Sequence, residues 1–282
     1  AFMLSVLVCG CSSNVEEEDQ VRYLIGVSQA NLIEPWRIAM NKEIEEEASK
    51  YDDMTVIFKD AVQSVSKQKK DVETLLMHGI DLLIISPIDS SALTPTVMEA
   101  YSKIPVIILD RAIEGYDYTL YIGPDNSFVG KQAGELILEL LGKDGGNVVE
   151  IQGTHDSPPV TLRSNGFREI LQNHENIKIV GTIIADWQRD KAEEKFKEFL
   201  EKNKHISVDA VFAHDDSMAY GAYKAAKSLG LNEIKFVGVG GLEDSNEGIE
   251  LVQDRILYGT VTCPTGGKAA VQYAVDILNK QK

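Results

Sequence analysis

Short runs rich in Val, Ile and Leu alternate with amphipathic helical stretches along most of the chain. Eight such runs are strand candidates: 23–28, 55–59, 82–86, 106–110, 148–152, 179–185, 210–213 and 236–240. Most are continuously apolar rather than alternating, as a sheet buried on both faces requires. Strand–helix–strand repetition with short connections predicts parallel sheets covered by helices on both sides.

Apolar residues recur at helical spacing between the strand candidates. Trp36, Met40, Ile44 and Ala48 follow one another at every fourth position, which predicts one apolar helix face. A last helix within 270–278 follows a further strand candidate near 257–262. We expect this last helix to pack back on the first half of the chain.

The strand–helix pattern ends near 122–124 and restarts near 145–147. A chain of 282 residues suits two lobes of ordinary size better than one very wide sheet. The sequence therefore predicts an α/β fold of two Rossmann-like lobes. The N-terminal lobe is expected to take 21–123 and 264–282, and the C-terminal lobe 124–263.

The first twenty residues indicate a compartment. The run 2–8 is apolar and too short to span a membrane, but it suits the core of a signal peptide. It leads into Val8-Cys9-Gly10-Cys11, which resembles a bacterial lipobox and implies cleavage before Cys11 and lipidation of its thiol. The acidic stretch 14–20 is typical of a flexible tether. We therefore expect 1–20 to be a signal-peptide remnant, lipobox and tether, with a buried first strand as the alternative.

This interpretation places the protein in the periplasm or outside the cell as a membrane-anchored lipoprotein. Of the three cysteines, Cys9 would leave with the signal and Cys11 would carry lipid, so Cys263 would be the sole free thiol. No disulfide framework is then expected. A net charge of −16 disfavours binding to nucleic acid, and its simplest explanation is solubility.

Catalytic motifs are missing from the sequence. It contains no phosphate-binding loop of the Walker type, no Gly-x-Ser-x-Gly elbow and no His-Glu-x-x-His helix. Its five histidines are scattered without metal-ligand spacing. We expect no enzyme activity, no cofactor and no metal.

Polar residues follow the strand candidates of both lobes, where ligands bind in open parallel sheets. They are Ser28, Asp60, Ser86, Asp110 and Arg111 in the first lobe, and Gln152, Asp186, Trp187, His214, Asp215, Asp216 and Gly240 in the second. If the two edges face each other, they form one cleft. Carboxylates accept hydrogen bonds from hydroxyls, arginine donates in a planar fork, and tryptophan offers a flat apolar face, which together suit a neutral polyol.

Each of these residues also has an ordinary structural explanation. Asp110 and Arg111 could form a surface ion pair or a helix cap, and the two tryptophans could be packing residues. Asp215 or Asp216 could cap a helix that begins at Ser217. The combination of residues is more informative than any one of them.

From Val21 to Lys282 the chain resembles the periplasmic sugar-binding proteins of the ribose/galactose type, which share their fold with the sensor part of lac-repressor-like regulators. The stretches that carry the resemblance are 83–89, 104–111, 122–126, 163–167 and 211–219. The resemblance implies a type I periplasmic binding protein, with two lobes joined by a hinge of several strands and a sugar held in the hinge cleft. It also implies a further strand beyond Lys282.

The resemblance assigns ligand residues position by position. It implies that Asp110, Arg111 and Arg163 grip sugar hydroxyls and that Trp36 and Trp187 are aromatic contacts. Four positions depart from the family pattern, because Glu34, Arg37, Gly240 and Cys263 replace residues common in ribose-type proteins. The departures indicate a different or larger sugar, with Glu243 or Asp244 as further contacts. The full set of expected ligand residues is Ser28, Glu34, Trp36, Arg37, Ser86, Asp110, Arg111, Arg163, Trp187, Asp215, Gly240 and Cys263.

The resulting hypothesis is a solute-binding protein that captures a small sugar, most simply a monosaccharide, and delivers it to the membrane permease of an ABC importer. The alternative is the extracellular sugar-sensing domain of a hybrid two-component receptor, which would report to a kinase module. The segments 248–252 and 262–267 also resemble such sensor domains. The chain that follows Lys282 would distinguish transport from sensing.

Overall fold

A computed structural model describes residues 23–155 and 157–280, which form two five-stranded parallel sheets. The strands of the first sheet are β1 (Tyr23–Gln29), β2 (Met54–Asp60), β3 (Leu82–Ile85), β4 (Val106–Leu109) and β5 (Leu120–Ile122), in the order β2-β1-β3-β4-β5. Those of the second are β6 (Gly146–Gln152), β7 (Ile177–Ile184), β8 (Ala210–Ala213), β9 (Lys235–Gly240) and β10 (Gly259–Thr262), in the order β10-β9-β8-β6-β7. The predicted two-lobed α/β fold is confirmed.

Helices follow the strands in both lobes. The first lobe carries α1 (Pro35–Ala48), α2 (Val65–Met77) and α3 (Ser90–Tyr101). The second carries α4 (Asn126–Leu141), α5 (Pro158–Leu171), α6 (Arg189–Lys202), α7 (Asp216–Ser228) and α8 (Gly248–Gln253). The final helix, α9 (Gly267–Lys280), packs against α1 of the first lobe, as the sequence predicts.

The continuous apolar runs are strands buried on both faces. In β3, Leu82 and Ile84 belong to the core between the sheet and the α1–α9 layer, whereas Leu83 and Ile85 belong to the core on the α2–α3 side. All four side chains are fully buried. Because successive strand residues point to opposite faces, only a run without polar positions can satisfy both cores.

Two segments of the described chain cross between the lobes, at 123–125 and at 263–266. The second crossing is fixed to α1 by the hydroxyl of Thr265, which donates to Glu43 at 2.5 Å. These crossings place the carboxyl ends of both sheets around one cleft. The exact lobe boundaries, at 123/124 and 263/264, stay predictions.

The short strand β5 (Leu120–Ile122) was not among the predicted strands. It has only three residues, all half-buried, and it forms the edge of its sheet, so its sequence lacks a long apolar run. The predictions for 1–20, including lipidation of Cys11, lie outside the described residues. Among the helices of the described ranges, none has the length and apolar character needed to cross a bilayer.

Candidate functional site

A cavity of about 600 Å³, open solvent at its mouth included, lies between the lobes. The first lobe contributes Glu34, Pro35, Trp36, Arg37, Asp110 and Arg111 to its lining, and the second contributes Pro159, Arg163, Trp187, Asp215, Asp216, Ser217, Val239, Gly240, Leu242, Glu247 and Cys263. All the expected ligand residues except Ser28 and Ser86 therefore lie around one space. Their roles in binding a ligand stay predictions.

Ser28 and Ser86 are buried beneath the cavity and do not line it. Nε2 of Gln68 lies 3.3 Å from the hydroxyl of Ser28, and the hydroxyl of Ser86 accepts a hydrogen bond from Nη1 of Arg37 at 2.6 Å. Both residues come at the ends of strands, but their side chains point toward the protein interior.

Arg37 is almost fully buried in the floor of the cavity. Its Nε donates to Glu34 Oε2 and its Nη2 to Asp110 Oδ2, both at 2.9 Å. Burial alone lowers the pKa of Arg37, but the charges of these two carboxylates outweigh it and raise the pKa. Arg37 thus serves as the counter-ion that holds two cavity carboxylates in place.

Asp110 keeps one carboxylate oxygen available. Oδ2 is taken by Arg37, whereas Oδ1 makes no hydrogen bond within the described part of the chain. Its backbone is fixed in the left-handed region, with φ of 66°, and its carbonyl accepts from the hydroxyl of Tyr121 at 2.8 Å. A non-glycine residue in this conformation is sterically costly, and such positions concentrate at ligand sites.

Arg111 forms the wall beside Asp110. It is 7% exposed, and its Nη1 donates to the carbonyl of Ile88. Burial, and after it the charge of Arg37, lowers the pKa of the Arg111 guanidinium. Nε of Arg111 has no hydrogen-bond partner among the described residues.

Arg163 is the arginine that lines the second lobe's side of the cavity. Its Nε donates to Asn126 at 2.8 Å, its Nη1 to the carbonyl of His214, and its Nη2 to Sγ of Cys263 at 3.3 Å. The guanidinium also lies 5.5 Å from the centre of the Trp187 ring, within the range of a cation–π contact. These contacts fix the orientation of the Arg163 guanidinium in the ligand-free protein.

The two tryptophans have different roles. The Trp187 indole is 9% exposed and lies against Gly153, where a Cβ atom would come within 2.0 Å of the ring. Trp36 packs against the cores of both lobes, and its Nε1 donates to the carbonyl of Cys263 at 2.7 Å. Trp36 is therefore a packing residue, which was the alternative explanation for it. It also lines the cavity and links the first lobe to the crossing segment at Cys263.

Three carboxyl groups line the second lobe's side of the cavity. Asp215 caps α7 by accepting from the amide of Met218 at 2.6 Å, and Asp216 accepts from the amide of Gly241 at 2.7 Å. Burial raises the pKa of Asp215 well above its usual value, the pKa of Asp216 to about 6 and that of Glu247 to about 7. The sequence places Asp216 among the polar residues at the strand ends and as a candidate helix cap, but not in the expected ligand set, and it does not single out Glu247.

His214 was expected at the edge of the cleft, but its ring is fully buried behind the cavity. Its Nε2 lies 3.1 Å from Glu150, whose other oxygen pairs with Arg168. Burial lowers the pKa of His214, so the imidazole is neutral and donates to the carboxylate. The side chain of His214 supports the site, and its carbonyl positions Arg163.

Several buried polar atoms around the cavity lack partners. Within the described chain these atoms include Nε of Arg111, Nε1 of Trp187 and Oδ1 of Asp216, all in residues that line the cavity. A buried polar group without a hydrogen bond costs folding free energy, so each such group normally has a structural or functional explanation. All three atoms have almost no accessible surface, so they are closed off from the cavity in this conformation. No group of three His, Cys, Asp or Glu residues in the described ranges is arranged to hold a metal ion.

Comparison with known proteins places this geometry in a family. The family model for the periplasmic binding protein domain matches residues 25–282. The ribose import binding protein of Bacillus subtilis is 35% identical over 92% of this chain and 83% of its own length. The galactofuranose-binding protein of Escherichia coli is 34% identical over 78% of this chain and 70% of its own length.

Solved structures agree with these sequence relatives. The fructose-binding periplasmic domain of a hybrid two-component system has a TM-score of 0.85 and 40% identity, covering 92% of this chain and 85% of that one. The periplasmic binding protein of an arabinose ABC transporter from Shewanella, bound to L-arabinofuranose, has a TM-score of 0.84 and 29% identity, covering 92% and 86%. The protein is a member of the periplasmic binding protein family, of the type I sugar-binding class.

Proposed function

We propose that the protein captures a small neutral sugar in the inter-lobe cavity and delivers it to the permease of an ABC importer. The observation that carries this proposal is the set of pre-positioned donors and acceptors around one cavity, above all Arg163, Asp110 and Arg111, together with the Trp187 ring. Relatives named for ribose and galactofuranose binding support a sugar as ligand.

The proposed mechanism is closure of the lobes around the ligand. The sugar docks on one lobe, the two crossing segments bend, and the other lobe covers the exposed face of the ring. Closure excludes water from the cavity and strengthens the charged hydrogen bonds there. Binding shifts the population toward the closed state, and no covalent bond is made or broken.

A thermal-shift screen of the purified protein tests this function. The panel is D-ribose, D-fructose, L-arabinose, D-allose and myo-inositol. At a hundredfold excess over its dissociation constant, a bound sugar adds about 2.7 kcal/mol of stability, which is visible as a rise in melting temperature. A folded protein whose melting temperature stays constant across the whole panel would contradict the proposal.

Lipid anchoring at Cys11 is the proposed form of attachment. It rests on the lipobox-like sequence Val8-Cys9-Gly10-Cys11. Cells grown with a labelled fatty-acid analogue should incorporate the label into the wild-type protein. Cys11→Ser should abolish incorporation of the label, whereas Cys263→Ser should retain it. Unchanged incorporation in Cys11→Ser would disprove the anchor.

Sensing is the second candidate function. It is favoured by the 40% identity to the fructose-binding domain of a hybrid two-component system. Deleting the gene distinguishes the two. Loss of radiolabelled sugar uptake indicates transport, whereas intact uptake with loss of sugar-induced transcription indicates sensing.

A further inference from the structure

The loop between β9 and α8 brings one acidic residue to the cavity. Glu243 and Asp244, the two loop acids that the sequence suggested as ligand contacts, are exposed and do not line it. Glu247, at the end of the same loop, is 5% exposed and does. The structure places neither Glu243 nor Asp244 at the cavity, and Glu247, which the sequence did not single out, lies there instead.

Glu247 is held from one side by a fixed arginine. Nη2 of Arg189 donates to Oε1 of Glu247 at 2.7 Å. Arg189 itself bonds the carbonyl of Asn246 and the hydroxyl of Ser217, both at 3.2 Å, and lies 5.0 Å from the centre of the Tyr220 ring. With its guanidinium held at three points, Arg189 sets the orientation of the Glu247 carboxylate.

The second oxygen of Glu247 is available to a ligand. Oε2 makes no hydrogen bond within the described chain, and it is not among the fully buried atoms that lack a partner. Because Glu247 is 5% exposed and lines the cavity, we take this oxygen to be the part of the carboxylate that a ligand reaches. A carboxylate with one oxygen engaged and the other free accepts well from a hydroxyl.

The charges around Glu247 restrict what that ligand group can be. Arg189 on α6 is its direct cation, whereas the nearby acids Asp216 and Asp244 both raise its pKa, and Asp215 lies within electrostatic reach. A carboxylate or phosphate on the ligand would meet like charges at this end of the cavity. An uncharged hydroxyl donor avoids that repulsion and gives the free oxygen a partner.

We propose that Glu247 contacts the ligand directly by accepting a hydrogen bond from a hydroxyl of an uncharged sugar, and that Arg189 is its positioning residue. This inference rests on the proposed sugar-binding function. It adds a specificity determinant that selects neutral polyols over sugar acids and sugar phosphates.

Isothermal titration calorimetry with the same five sugars at pH 8 tests the proposal. For whichever sugar binds wild type most tightly, Glu247→Gln should raise Kd about tenfold or more, because it removes a hydrogen bond to a charged group. Glu247→Asp, which keeps the charge but shortens the side chain, should also weaken binding and serves if the Gln variant does not fold. The matched control is Glu243→Gln, in the same loop but outside the cavity, with Kd within twofold of wild type.

The pH profile separates a ligand contact from a structural role. In wild type, Kd should rise between pH 8 and pH 6 as Glu247 takes up a proton, and Glu247→Gln should lose this part of the profile. Arg189→Lys should raise Kd and shift the pH at which Kd changes by half of its total amount. Wild-type affinity in both Glu247 variants, with binding lost in Arg163→Ala, would overturn the inference and leave the proposed function intact. A wild type that binds none of the five sugars would overturn both.

Discussion

Nη2 of Arg37 lies 2.9 Å from Oδ2 of Asp110, and Arg37 is only 1% exposed. The same guanidinium holds Glu34 and Ser86, so one buried cation organises the first lobe's half of the cavity. Removing a partner from a buried ion pair leaves an uncompensated charge, which costs more than the pair contributes.

Arg37→Met should therefore lower the free energy of unfolding by about 3–5 kcal/mol and weaken sugar binding. Urea denaturation of the ligand-free protein measures the first effect. Lys103→Met breaks a pair with Glu99 that is exposed on both sides and should change stability by less than about 1 kcal/mol. Equal effects of the two substitutions would show that Arg37 is not the organising cation.

Glu150 should make stability depend on pH in the acidic range. Burial alone raises its pKa, but the hydrogen bond from His214 and the charge that this imidazole carries at acid pH, together with Gln152 and the charge of Arg168, lower it to about 2. A carboxyl whose folded pKa is depressed stabilises the protein above its unfolded pKa, and this contribution is lost as pH falls from about 4.5 toward 2.

Glu150→Gln should thus destabilise the protein at pH 7, by on the order of 1–3 kcal/mol, and much less at pH 3. Chemical denaturation at the two pH values measures the difference. Glu198→Gln, in an exposed pair with Lys202, is the control and should have no measurable effect at either pH. A Glu150→Gln effect that is equal at pH 3 and pH 7 would contradict the assigned pKa.

Gly153 should be essential for the position of the Trp187 ring. A Cβ at this position would lie 2.0 Å from Cε2 of the indole, so Gly153→Ala must displace the ring and disturb its contact with Arg163. We expect Kd for the bound sugar to rise about tenfold, equivalent to about 1.4 kcal/mol. Gly259→Ala in β10, where the nearest atom would be 3.4 Å away, is the calorimetric control. Wild-type affinity in Gly153→Ala would exclude the ring as a ligand contact.

Trp36→Phe tests the link between the first lobe and the hinge. The substitution keeps an aromatic ring but removes the donor to the carbonyl of Cys263. Loss of one such hydrogen bond should lower the free energy of unfolding by about 1 kcal/mol. Urea denaturation of Trp36→Phe beside the exposed control Tyr273→Phe measures it, and equal free energies of unfolding for the two variants would refute the link.

The continuous apolar runs predict the two buried sheets because only one arrangement covers both faces of such strands. Strand ends also identify the edge at which Asp110, Trp187 and Asp215 meet. They do not specify the direction of each side chain, which is why the sequence predicts Ser28 and Ser86 as ligand contacts although Ser28 pairs with Gln68 and Ser86 with Arg37 in the interior.

Loop residues are harder to predict. Glu247 reaches the cavity because of the path of the segment 241–247 and the anchor from Arg189 on α6, contacts that no local pattern encodes. The edge strand β5 is hard to predict for a related reason. Its three residues show no strand-like hydrophobic pattern, and the strand is defined by its hydrogen-bonded pairing with β4.

Calorimetric titration of wild type, Asp110→Ala and Arg163→Ala with the sugar that gives the largest thermal shift tests the central claim most directly. Each variant removes a charged hydrogen-bonding group from a buried cavity, at a cost of about 2–3 kcal/mol or more. The account predicts that both variants lose about thirtyfold or more in affinity while circular dichroism shows them folded. Unchanged affinity in both folded variants would contradict the assignment of the cavity as the sugar site.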